Sequence, residues 1–291
     1  MSSSGLVFFA TYADQPEITD DDRVLAAALG RRDAAVRSAP WDDVSIAWSE
    51  AKAVIVRSTW DYHHRRAEFL GWTEHVAART PLFNAPATIR WNSHKGYLAE
   101  LAARDIPVID TVFAEAGSAT DVAVVAAQHR WNDLVIKPAV SASAHETVRF
   151  RSSEHDAAQA HLDRLLARGD AMLQPHLDVL GQRGELALMF IAGRFTHAVR
   201  RRSALAATTS MPRSASAEAP ASAIAFAERA LEESAVLTGA SEAALYARVD
   251  LAETPAHGHR LLELELIEPS LFFLHAAEAA ESMAEAITSR I

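Results

Sequence analysis

Short apolar runs alternate with stretches of three-to-four-residue periodicity over the first third of the chain. Leu6-Val7-Phe8-Phe9-Ala10 and Ala53-Val54-Ile55-Val56 have the length and continuity of strands buried on both faces. Residues 23–31 and 65–79 carry helical spacing, the second through Phe69, Trp72 and Val76. Asp20-Asp21-Asp22 stands where the first of these helices would be capped. This strand–helix alternation predicts a small α/β domain over residues 1–88.

Beyond it the pattern changes. Residues 95–105 read as a helix (Tyr97, Leu98, Leu101), and strands at 111–113 and 134–136 flank a helix over 119–130. A strand at 147–150 and a helix at 154–168 complete a second unit, 89–172. The third unit, 173–291, opens with a hairpin whose strands, 185–191 and 194–199, meet at the turn Ala192-Gly193. A second hairpin joins 245–251 to 261–267 around a loop at 254–258, and helices are predicted over 224–237 and 275–290. Residues 203–223, rich in Ala, Ser and Thr, are predicted to be a mobile loop.

Composition narrows the chemistry. A chain of 291 residues with 49% hydrophobic and 23% charged residues is globular and large enough for two or three units around one cleft. A net charge of -10 argues against a nucleic-acid partner. The absence of cysteine excludes disulfides, thiolate metal sites and cysteine nucleophiles. Neither a basic leader nor a membrane-length apolar run is visible, so the expected location is the cytoplasm. The histidines form no i, i+4 pair of the zinc-peptidase kind, and His63-His64 is expected at a helix start.

Only three of the 28 Lys+Arg residues are lysines: Lys52, Lys95 and Lys137. An ammonium on a flexible stem binds phosphate as a point charge, a role a forked guanidinium does not simply assume. Lys95 begins a predicted helix and Lys137 ends a predicted strand, so the pair suits a polyphosphate clamp; two ordinary surface lysines is the alternative reading. Alternation along the second hairpin puts Arg248 and Asp250 on one face of their strand, and Glu263 and Glu265 on one face of the partner. If the strands pair, three carboxylates and a guanidinium converge. Such hard oxygen donors suit Mg²⁺, and the arginine suits charge developing during phosphoryl or acyl transfer. The alternative is an edge hairpin whose glutamates face water.

The order strand–Lys137–Pro138, small-residue loop, hairpin with Gly184-Glu185, then Arg248-x-Asp250 and Glu263-x-Glu265 resembles the ATP-grasp superfamily from about residue 89 to 270. The resemblance implies an α+β fold in which two subdomains clamp ATP behind an N-terminal α/β domain. It further implies Lys95 and Lys137 on the nucleotide phosphates, and a covering loop containing Ser141 and Ser143. Gln174, His176 and Leu177 would lie at the adenine hinge and Glu185 at the ribose. Asp250, Glu263 and Glu265 would hold Mg²⁺, and Arg248, with Lys137, would face the transferred phosphate.

Arg57-Ser58-Thr59-Trp60-Asp61-Tyr62, Arg90-Trp91-Asn92, Lys137-Pro138-Ala139-Val140-Ser141-Ala142 and the run from Glu263 to Ser270 are similar to the ATP-grasp branch around O-ureido-serine cyclo-ligase, which closes the ring of D-cycloserine. This resemblance implies substrate contacts from Arg57, Thr59, Trp60, Asp61, Tyr62, Glu268 and Ser270. The partner is then a small amino-acid-like molecule, with no nucleic acid or membrane involved and a homodimer left open. Intermolecular amino-acid ligation and a nucleotide-binding module without turnover are the competing outcomes. Two departures stand out: the phosphate loop lacks glycine, and Arg201-Arg202-Ser203 replaces a Gly-Asp-Phe-Arg-like stretch after Arg200. Either Arg200, Arg201 or Arg202 supplies the missing cation, or the lid is rebuilt for another substrate, or activity is lost.

Overall fold

The computed structural model describes residues 5–202, 205, 213–254 and 258–291 and contains three sheets. The first is wholly parallel: β1 (Gly5–Thr11), β2 (Ala34–Pro40), β3 (Ala53–Val56) and β4 (Leu82–Phe83) lie in the order β2-β1-β3-β4. Helices α1 (Asp20–Gly30) and α2 (Arg66–Ala77) carry the β1-to-β2 and β3-to-β4 crossovers. The cap of α1 is Thr19, whose hydroxyl accepts from Asp22 N at 3.1 Å, rather than the aspartate run itself. Strand β2 escaped prediction because its small residues end in a proline and it pairs only at the sheet edge. Helix α3 (Pro86–Asn92), started by Pro86, leads to α4 (Tyr97–Ala102).

The second unit is antiparallel, with β5 (Val112–Ala114), β6 (Leu134–Pro138), β7 (Val148–Phe150) and β8 (Ala171–Pro175) ordered β5-β8-β6-β7. Its helices α5 (Val122–His129) and α6 (His155–Leu166) cover one core, in which Val122, Leu162 and Leu173 are fully buried. After a short α7 (Asp178–Arg183), the third sheet runs β11-β10-β9-β12-β13: β9 (Glu185–Ile191), β10 (Arg194–Arg201), β11 (Ser214–Ala217), β12 (Tyr246–Thr254) and β13 (Gly258–Glu265). Helix α8 (Ala221–Thr238) packs Ala223, Ala227 and Ala230 into it, and α9 (Ala277–Thr288) ends the chain.

The segment predicted as one loop, 203–223, is therefore interrupted. It contributes edge strand β11, paired with β10, and the first turn of α8. Its residues 203, 204 and 206–212 lie outside the described part, as do 255–257 of the predicted hairpin loop. Alternating Ser and Ala carries little strand signal, so pairing with β10 decides the conformation. Helix α9 does not stay with its own unit: Met283, Ala284 and Ile287 share a core with Val7, Phe9, Leu25 and Leu29.

Candidate active site

Strands β12 and β13 pair with Arg248 opposite Glu265 and Asp250 opposite Glu263, before a bulge between Asp250 and Leu251 shifts the register. Four charged side chains thus leave one face together. Arg248 Nε donates to Asp250 Oδ1 at 2.9 Å, and its Nη2 donates to Asp250 Oδ2 at 2.9 Å and to Glu265 Oε1. Ligand oxygens of Asp250, Glu263 and Glu265 lie within 4.8 Å of one another.

Long-range polar contacts fix this hairpin from below. Asn92 Nδ2 donates to Leu264 O at 2.7 Å, and Leu266 N donates to Asn92 Oδ1 at 2.8 Å. Asn84 gives the same two-way contact to Leu245 N and Leu266 O, both at 2.8 Å. The Tyr246 hydroxyl sits between the Val56 and Ile267 carbonyls at 2.9 and 2.8 Å. Buried backbone groups at the strand ends are satisfied by side chains, so the acidic face cannot slip.

Lys95 reaches this face from the start of α4. Its Nζ lies 2.7 Å from Glu263 Oε1 and donates to Ser141 O at 3.0 Å, while its backbone N–H donates to Ala139 O at 2.8 Å. The loop after β6 is therefore tied to Lys95 twice. Within that loop Ser143, Ala144 and Glu146 adopt left-handed φ values of 51°, 56° and 52°. The backbone takes up conformations that glycine would occupy without strain.

Lys137, at the end of β6, lines the same cavity without a direct ion pair among the described contacts. Burial lowers its pKa, Glu263 opposes the fall and Lys95 adds to it. Burial would raise Glu263, but Lys95 and Lys137 outweigh it and bring this carboxyl down to about 2. Its neighbours behave oppositely. Burial, reinforced by Glu263 and Asp250 against the pull of Arg248, lifts Glu265 to about 7. Burial and Glu265 lift Glu268 to about 8.

The cavity holding these groups has a volume of about 1240 Å³. That exceeds the ~300–1,000 Å³ typical of a single small-molecule pocket. Of the predicted residues, Lys95, Lys137, Ser141, Ser143, Gln174, His176, Leu177, Glu185, Arg248, Asp250, Glu263, Glu265, Glu268 and Ser270 all line it, as do Trp60 and Tyr62. Gln174 is held by Thr111 Oγ1 at 2.8 Å. Burial raises the pKa of Glu185, which has Arg201 3.7 Å away. Trp60 Nε1 donates to Glu268 O at 3.3 Å, joining the first sheet to the end of the acidic strand.

Three predicted substrate residues lie elsewhere. Arg57 is buried against Asp22, to which its Nε donates at 2.7 Å, and it donates to Pro269 O at 3.2 Å. Asp61 accepts from Trp41 Nε1 at 2.9 Å and lies 3.3 Å from Arg65. Thr59 is fully buried, its hydroxyl without a partner. None of the three lines the cavity; Arg57 and Asp61 brace the strand end and turn that present Trp60 and Tyr62.

Among the candidate replacement cations, Arg201 enters the cavity and donates to Asp250 Oδ2 at 2.9 Å. Arg202 also lines it, whereas Arg200 pairs with Glu253. Asn92, Tyr97 and Arg213 line the cavity as well. The motif around Trp91 marks Asn92, and apolar helical spacing disguises Tyr97. Arg213 has no sequence signal.

Three carboxylates without histidine or thiolate form a donor set suited to Mg²⁺, which keeps waters and shares phosphate oxygens. The cations opposite them suit a polyphosphate. Residues 7–84 match the family model for the D-cycloserine synthetase DcsG N-terminal domain. The cycloserine biosynthesis protein DcsG of Streptomyces lavendulae is 32% identical over 262 residues, covering 86% of this chain and 87% of the relative. The crystal structure of D-cycloserine synthetase DcsG superposes with a TM-score of 0.90 at 30% identity, over 98% of this chain and 99% of the other. At the level of fold alone, D-alanine–D-alanine ligase of Bacillus anthracis, crystallised with ATP, gives a TM-score of 0.70 at 11% identity over 98% and 97% of the two chains. With a relative 32% identical over 86% of this chain and 87% of its own length, and a matching structure over 98% of this chain, the chain belongs to the D-cycloserine synthetase family of ATP-grasp ligases.

Proposed function

We propose that the chain closes the D-cycloserine ring from O-ureido-D-serine at the expense of ATP. The observation that carries this reading is the meeting of Lys95, Lys137 and the Asp250–Glu263–Glu265 face in one cavity also lined by Trp60, Tyr62 and Glu268. Lys95 and Lys137 bind the nucleotide phosphates, and Gln174, His176, Leu177 and Glu185 line the adenine and ribose end. Asp250, Glu263 and Glu265 would hold Mg²⁺, which when bound screens phosphate charge and aligns the γ-phosphoryl group. The substrate carboxylate attacks that phosphorus, ADP leaves, and an acyl phosphate results. The oxygen-bound nitrogen of the same molecule attacks the acyl carbon and expels phosphate; before or after that closure, water takes up the nitrogen's carbamoyl group as carbamic acid, which breaks down to CO2 and ammonia, and leaves its proton on the nitrogen.

Arg248 faces the charge that builds on the transferred group and on the tetrahedral carbon. Intramolecular attack profits from effective molarity, so the protein's tasks are folding the substrate and excluding water from the acyl phosphate. Trp60 and Tyr62 supply the wall for that folding. No side-chain nucleophile is required.

Incubation with ATP, Mg²⁺ and O-ureido-D-serine should release ADP and yield the cyclic product from a single organic substrate. ADP release only when two amino-acid or amine substrates are supplied would point to an intermolecular ligase. Thermal stabilisation by Mg·ATP without ADP release across an amino-acid panel would reveal a nucleotide-binding module instead.

A further inference from the structure

Behind the loop that follows β6, and outside the cavity lining, three histidines from two units meet. His63 and His64 lie on the 3-10 turn Tyr62–Arg65 after β3, and His145 lies on the loop carrying Ser141 and Ser143. Ring centroids are 3.9 Å apart for His63–His64 and 5.0 Å for each pair involving His145. One nitrogen from each ring falls within 4.8 Å of the other two.

Both ring nitrogens of His63 are buried and neither makes a well-formed hydrogen bond, the Trp60 backbone giving its N–H only a weak one. A neutral imidazole always carries one N–H and one lone pair, so with the N–H turned towards Trp60 the buried lone pair is left unsatisfied. Packing three rings together does not require that cost; apolar residues would pack better. A cation bound to the lone pair satisfies it, and imidazole selects borderline transition metals over Mg²⁺. Nitrogens bound to one tetrahedral Zn²⁺ at about 2.0–2.1 Å stand roughly 3.4 Å apart. The observed cluster is looser by an amount that side-chain rotation can close.

We propose that His63, His64 and His145 form a second metal site, for a borderline ion such as Zn²⁺ or Ni²⁺, that fastens the loop after β6 to the turn after β3. The fourth position falls to water. Glu146 Oε2 is 3.4 Å from His145 Nε2, but Arg168 already holds that carboxylate through two hydrogen bonds of 2.7 and 2.8 Å. Occupancy would fix the loop that Lys95 ties to the acidic face, so this site bears on the nucleotide end of the cavity without touching it. The site stands apart from the carboxylate cluster and does not depend on the substrate assigned above.

Calorimetric titration of the tag-free protein with ZnCl₂, in excess Mg²⁺, tests the assignment. One Zn²⁺ per chain should bind; His64→Gln and His145→Gln should each weaken it at least tenfold, and Glu265→Gln should leave it unchanged. Hydrogen exchange across residues 139–147 should slow with Zn²⁺ in the unmodified protein and not in His64→Gln. Absence of saturable Zn²⁺ binding, affinity unchanged by both histidine substitutions, or affinity lost in Glu265→Gln overturns the site. Binding without slower loop exchange overturns the fastening.

Discussion

Glu263 holds Lys95 at 2.7 Å while lending charge to Lys137, so one carboxylate organises both candidate phosphate cations. Glutamine at this position keeps shape and removes charge. We expect Glu263→Gln to lower Mg²⁺-dependent ADP release by about a hundredfold or more. Circular dichroism should find the fold intact, because Glu263 is partly open to the cavity. Near-normal turnover would remove Glu263 from the metal set. Lys137→Arg keeps charge and changes its shape; the KM for ATP should rise about tenfold or more, since a planar fork cannot occupy a point-charge position. Unchanged ATP affinity would dissolve the clamp. At this scale the sequence spoke clearly where chemistry is rare: three lysines leave few choices, and two sat where a strand and a helix begin or end. It did not separate Arg57 and Asp61, which lie outside the cavity lining, from Trp60 and Tyr62, because a motif does not tell which of its members face the cavity and which hold the turn.

The acidic hairpin was legible as an element because period-two alternation survives in both strands. Its register was not. The bulge after Asp250 and the extension of the strands to Thr254 and Gly258 depend on pairing, which no local pattern encodes. Asn92 supplies one determinant from far away, bonding Leu264 at a separation of 172 residues. Its amide satisfies one buried carbonyl and one buried N–H, so Asn92→Ala leaves both unpaired. The expected cost is about 2–5 kcal/mol from two unsatisfied groups, read as a shift in urea midpoint. Asn92→Asp, which keeps only the acceptor, should fall between the two. A midpoint unchanged in Asn92→Ala would show that water replaces the amide and that the hairpin holds its own register. Strand β11 was illegible for the opposite reason: its Ser/Ala alternation is neutral, and a neighbour's open edge recruits it.

Across the whole molecule, buried titratable groups pull stability in two directions. Glu268, raised to about 8, and Glu265, raised to about 7, are both favoured in protonated form by the fold, against an ordinary 4.5. Their contribution is present at low pH and is lost as pH climbs from about 4.5 to 8. Histidines act the other way: burial lowers His63 from 6.5 to about 4 and lowers His94, His161, His176 and His197 as well. Their contribution is complete above 6.5 and is lost as pH falls below it. The metal- and nucleotide-free protein should therefore lose melting temperature both as pH falls below the histidine value of 6.5 and as it climbs towards 8. Glu268→Gln should flatten the alkaline limb, and a Tm rising steadily from pH 6.5 to 8 would contradict the assignment.

Helix α9 closes the core begun by β1 and α1, and Arg31 reaches Glu281 across 250 residues of chain. At about 5–20 residues per second of synthesis, that separation is roughly ten to fifty seconds. For that interval the nascent N-terminal sheet has strands and a first helix but no cover over Leu25 and Leu29. Closure of this core consequently waits for α9, and the apolar face left open until then is one that a chaperone holdase would recognise.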